Sequence, residues 1–206
     1  GGYFGMFMAT FYTGRHYYAS VARNAVGWTS RGGGAADRTA VWGFRIFVVL
    51  FGGFVLLLSK MGIDWQLALL YGGVLVVVYT VSARLMAEGG LFHIKIATFP
   101  CAMIWGLFGS AALGFRTLLV LEIVTMVLFI DPRETLLPFM ANANRLLAGR
   151  GMPLGRTSSI AAVAIVLGLL IAAPVTLYIQ YDVPAATQGD RWAFQYVPKM
   201  PFENAV

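Results

Sequence analysis

The sequence predicts an all-α, polytopic membrane protein, and three observations lead there. Of its 206 residues, 59% are hydrophobic and only 12% are charged, against roughly 25% charged in a soluble domain. The apolar residues come in runs, and the longest match the ~20 residues that cross a hydrocarbon core of ~30 Å. The basic residues behind the net charge of +6 lie mostly between those runs, as cytoplasmic loops require. A nucleic-acid partner is therefore not expected. The 24 glycines suit close helix packing in lipid. The single cysteine, Cys101, excludes an internal disulfide and is expected to pack as a small hydrophobe.

Taken in order, residues 1–13 read as the end of a membrane helix. The chain opens at Gly1 without a signal-peptide pattern, so a longer parent protein is the expectation. Residues 13–39 form a basic, aromatic connection with Arg15, His16, Arg23, Arg31 and Arg38. Within it, the glycine-rich residues 31–37 lack the Lys-Ser/Thr pair of a phosphate loop. Residues 40–59 are the first complete span, with Arg45 placed to reach the headgroups. Residues 67–83 are the second, anchored by Trp65. In residues 84–95, Arg84 and Glu88 stand i,i+4, and Gly89-Gly90 should end their helix.

Two short apolar segments follow, 100–114 and 117–130. In the first, Ala102, Gly106, Ser110 and Gly114 recur every fourth residue, which would let a neighbouring helix approach closely. The second carries one acid, Glu122, among Leu, Val and Ile. It stops at Asp131-Pro132-Arg133-Glu134, a helix-start corner with capping-box chemistry. Residues 134–147 are amphipathic, with Leu136, Phe139, Met140, Ala143 and Leu147 on one face and Pro138 as an expected kink. They read as an interfacial helix. Residues 158–180 are the last span, with a small-residue ladder at Ala164, Gly168 and Ala172 and a kink at Pro174. The expected organisation is a bundle of five or six membrane segments over residues 1–180 and a polar, proline-containing tail over 181–206. Arginine and lysine counts place loops 13–39, 84–95 and 131–156 on the cytoplasmic side if both short segments cross.

Glu122 is the foremost candidate for chemistry. A carboxyl in an apolar helix is costly in lipid, so it should face protein or water. Such an acid suits proton coupling or substrate contact, or else a structural role, neutral or paired with an arginine such as Arg45. Arg84, Glu88 and Arg45 are further candidates for substrate or coupling contacts; a salt bridge and helix cap is the plainer role for the first two. Asp131, Arg133 and Glu134 are expected as a structural corner. His16 and His93, the only histidines, have no partner at metal-ligand spacing, so no metal or other cofactor is expected. No hydrolase or metalloprotease motif is present, so the chain is not expected to be an enzyme.

Residues 12–18 (YTGRHYY), 41–45 (VWGFR), 84–89 (RLMAEG) and 131–138 (DPRETLLP) occur in an order that resembles uncharacterised bacterial polytopic membrane proteins related to the oligopeptide transporter (OPT) superfamily. The match covers most of the chain and corresponds to the C-terminal portion of a longer protein. Arg84, Glu88, Gly89, Asp131, Arg133 and Glu134 fit the pattern. The resemblance implies a secondary transporter of the bacterial inner membrane, of the class that moves peptides or metal chelates, coupled to protons. Its partners would be the bilayer and either the rest of the chain or other membrane subunits. The alternative expectation is a non-transporting accessory subunit of a larger membrane complex.

Overall fold

The computed structural model describes residues 2–27, 38–90, 99–129, 136–182 and 196–204. The glycine-rich loop, His93, the Asp131–Arg133–Glu134 corner and most of the tail lie outside the described residues. Within them every regular element is a helix. In chain order these are α1 (Gly2–Thr13), α2 (Arg15–Ala25), α3 (Arg38–Lys60), α4 (Trp65–Gly89), α5 (Pro100–Phe108), α6 (Ser110–Leu113), α7 (Phe115–Phe129), α8 (Leu136–Ala148), α9 (Leu154–Asp182) and α10 (Val197–Asn204). Three of them, α3, α4 and α9, are long and apolar enough to cross a membrane.

The second span is the hub. α4 packs against α1, α3, α5 and α8 and buries Ala68, Tyr71, Leu75, Val78, Val81 and Met86. Against α3 the approach is close because Gly72 has no side chain. A Cβ there would stand 2.8 Å from the Phe51 ring. The helix continues through Arg84 and Glu88 and stops at Gly90, whose φ of 63° is left-handed, as the Gly-Gly pair predicts. The α3–α4 turn uses Gly62 at φ 96°. The Arg116 guanidinium covers this turn, 2.9 Å from where a Cβ would project. The α3–α4 turn and the start of α7 therefore share one end of the bundle.

Residues 13–39 differ from the expected connection, because α2 is a regular helix following α1 after Gly14 alone. Residues 100–114 differ more. The every-fourth-residue ladder presumes one continuous helix, but Gly109 (φ 78°, ψ 148°) and Gly114 (φ 73°, ψ 152°) interrupt it. These are conformations that side chains of L-residues avoid. Ala102, Gly106, Ser110 and Gly114 are all exposed, and Gly106 and Gly114 have no neighbour within 4 Å of an added Cβ. α5 instead packs through Pro100, Cys101 and Ile104, the opposite choice of face. The expectation that the Gly106/Ser110 face is buried against protein is thus corrected.

The amphipathic helix has a partner within the bundle. Among the described residues α8 packs along α4, which covers its apolar face. Pro138 is buried in its first described turn. α9 runs unbroken through Pro174, and its apolar stretch has no buried residue. In the tail, α10 packs on α7.

Candidate functional site: an enclosed acid between α4, α5 and α7

The buried residues of α7 are Leu118, Leu121, Glu122, Thr125 and Met126. Their spacing of i, i+3, i+4, i+7 and i+8 is one helical stripe, and Glu122 lies in its middle. Glu122 is only 3% exposed. The adjoining apolar cluster contains Leu58, Ile63, Tyr71, Cys101, Ile104 and Leu121, which draws on four parts of the chain. The acid therefore faces protein, as the cost of a carboxyl in lipid requires.

Two hydrogen-bonded pairs line this packet. The Cys101 thiol donates to Glu122 Oε2 at 2.8 Å. Thr125 Oγ1 donates to the Leu121 carbonyl at 2.7 Å and lies 2.7 Å from the Tyr71 hydroxyl. A threonine hydroxyl has one proton. With that proton on the carbonyl, Tyr71 must be the donor to Thr125. A second tyrosine of α4, Tyr79, donates to the Leu128 carbonyl at 2.7 Å. The tyrosines thus reach across from α4 and fix α7 at two heights, while α5 supplies the thiol.

Cys101, Tyr71 and Thr125 were not recognisable as members of this site from their surroundings in sequence. Cys101 was expected to be inert packing; it is fully packed, and it also binds the acid. One signal was available. Thr125 stands i+3 from Glu122, so a helix must place both on one side. No comparable spacing rule links Tyr71 or Cys101 to Glu122.

The other candidates lie elsewhere. Arg45 donates to Ala25 O at 2.9 Å and Asn24 O at 3.4 Å, and its guanidinium lies 5.3 Å from the Trp42 ring centroid. It therefore caps the last carbonyls of α2, where a cation suits the helix dipole. That position answers the idea of an Arg45–Glu122 ion pair: the guanidinium is engaged at α2. Arg84 and Glu88 form their i,i+4 salt bridge at 2.7 Å, with side chains 40% and 61% exposed. They border a cleft of about 220 Å³ between α1 and α4. Among the described residues no group of His, Cys, Asp and Glu could hold a metal ion.

A helical bundle with three helices fit to cross a membrane and an ionisable group enclosed between α4, α5 and α7 defines a membrane-embedded, all-α protein. The chain belongs to DUF6785, a family of unknown function, which it matches over residues 1–206. No curated protein and no solved structure matches it.

Proposed function

We propose that this chain is the membrane-embedded part of a secondary transporter in which Glu122 carries the coupling proton. The observation that supports this most is the enclosed carboxyl on the packed stripe of α7, held by a thiol from a neighbouring helix. Intramembrane acids sheltered by protein recur in proton pathways. The short, glycine-broken α5–α6 segment adjoining α7 also suits a transporter, since broken helices are tolerated where they line a cavity or protein. The resemblance of the motif order to OPT-like proteins suggests a peptide or metal-chelate cargo and a bacterial inner membrane, and the arginine and lysine counts suggest that loops 13–39, 84–95 and 131–156 are cytoplasmic.

The test is proton flux in proteoliposomes carrying a pH dye inside. A mixture of di- to pentapeptides, or an iron(III) chelate, is added outside under an inward proton gradient. Cargo-dependent acidification is expected, and Glu122→Gln should abolish it while leaving the melting temperature nearly unchanged. Coupling that persists in Glu122→Gln sinks the role of this residue.

The accessory-subunit reading has one observation in its favour. The apolar stretch of α9 has no buried residue, as a helix awaiting partner helices would be. Absence of flux with every cargo, together with copurification of other membrane subunits in fixed ratio, would select that reading.

A further inference from the structure

The first turns of α1 meet α4 closely, with Tyr3 packed at Val78. Further along, the two helices leave a cleft between them. On α1 it is lined by Met6, Ala9, Thr10 and Thr13, and on α4 by Val81, Arg84, Leu85 and Glu88. Each set follows i, i+3, i+4, i+7, so two complete helix faces oppose each other across an unfilled space of about 220 Å³. Met6, Ala9, Val81 and Leu85 make the wall apolar, while the last turns of both helices bring the polar groups.

The depth of this cleft in the bilayer follows from helix geometry. Trp65 to Glu88 rises about 35 Å at ~1.5 Å per residue, against a hydrocarbon core of ~30 Å. With Trp65 at one interface, Arg84 and Glu88 stand at headgroup level on the other. The charge pattern then selects the occupant. Arg84 and Glu88 neutralise one another at 2.7 Å, so a purely anionic group would meet the Glu88 carboxylate as well as the guanidinium. Thr10 and Thr13 spend their hydroxyl protons on the Met6 and Ala9 carbonyls, both at 2.8 Å. What they offer a ligand is therefore lone pairs. One strong donor, Arg84, thus faces three acceptors.

We propose that the α1–α4 cleft binds one phospholipid whose head carries both a phosphate and a primary ammonium, the phosphate on Arg84 and the ammonium among Glu88, Thr10 and Thr13. An acyl chain runs along Met6, Ala9, Val81 and Leu85. A phosphatidylethanolamine-type head satisfies every group; a choline head has no N–H to give the three acceptors, and a glycerol head has no cation. The assignment does not depend on proton coupling at Glu122, because an accessory subunit would present the same cleft.

Native mass spectrometry of the detergent-purified protein with equal amounts of dioleoyl phosphatidylethanolamine, phosphatidylcholine and phosphatidylglycerol tests it. Retention of the ethanolamine lipid is expected to exceed the other two by about tenfold, the scale of one charge-assisted hydrogen bond. Glu88→Gln should remove that preference and favour phosphatidylglycerol, since Arg84 is then left unneutralised. Arg84→Gln should lower retention of all three, and Ala9→Phe, which fills the apolar wall, should do the same with both charges intact. Equal retention of the three lipids by the unaltered protein overturns the proposal, as does an unchanged preference in Glu88→Gln. Displacement of the lipid by equimolar free phosphoethanolamine would show that the apolar wall contributes nothing, and would overturn the lipid assignment in favour of a soluble zwitterion.

Discussion

The Tyr71–Thr125 pair allows a prediction whose sign depends on which partner donates. Thr125 gives its proton to the Leu121 carbonyl and accepts from Tyr71, and both side chains are fully buried. Tyr71→Phe removes the donor, yet Thr125 keeps its bond to the carbonyl, so the cost is one net hydrogen bond, about 0.5–1.5 kcal/mol. Bonds between membrane helices fall toward the lower end, at ~0.6 kcal/mol on average. Thr125→Val preserves shape but leaves the Tyr71 hydroxyl buried without an acceptor, which costs about 1–3 kcal/mol. Replacing both partners removes the stranded hydroxyl, so the double variant should resemble Tyr71→Phe alone. The assay is reversible unfolding in mixed detergent micelles, read as a double-mutant cycle. The expected order is Thr125→Val most destabilised, with the other two close together. If Tyr71→Phe costs as much as Thr125→Val, or if the two changes add within ~0.3 kcal/mol, the donor assignment and the coupling are refuted.

Further outcomes follow from the packing. Gly72→Ala pushes a Cβ against the Phe51 ring and should lower stability by about 1 kcal/mol, the low end for overpacking. Gly106→Ala meets nothing and should be neutral or slightly stabilising through helix propensity; the same micelle titration compares them. Cys101 is 2% exposed, so maleimide labelling should fail until the protein is unfolded. At this position Cys101→Ser, which keeps a donor for Glu122, should be tolerated better than Cys101→Val, by about 1 kcal/mol or more. Arg45→Gln withdraws the cation from the end of α2 at a cost of about 0.3–1 kcal/mol, visible as faster amide exchange in the last turn of α2 with little change elsewhere.

What the residues alone determined about this protein is what depends on neighbours along the chain. Apolar run length defined the helices now seen as α3, α4 and α9, because crossing lipid is a matter of continuous length and polarity. The Gly89-Gly90 stop and the Arg84–Glu88 pair were legible for the same reason, each being a relation within one or two helical turns. Glu122 was also legible as a residue that needs shelter, since an acid in an apolar run is costly wherever it lies. Only the tertiary structure decided what shelters it. Cys101 lies 21 residues away and Tyr71 lies 54 residues from Thr125, and no local periodicity carries information over such separations. The ladder at Ala102, Gly106, Ser110 and Gly114 failed for a related reason. Spacing marks a face only while one helix continues, and Gly109 and Gly114 adopt backbone conformations that end it. Arg45 had equal reach toward several carbonyls or acids, and the fold settled it on α2. α8 had an apolar face in the sequence, but only the fold brought α4 against it, because an amphipathic stripe specifies that something apolar must cover it without specifying what.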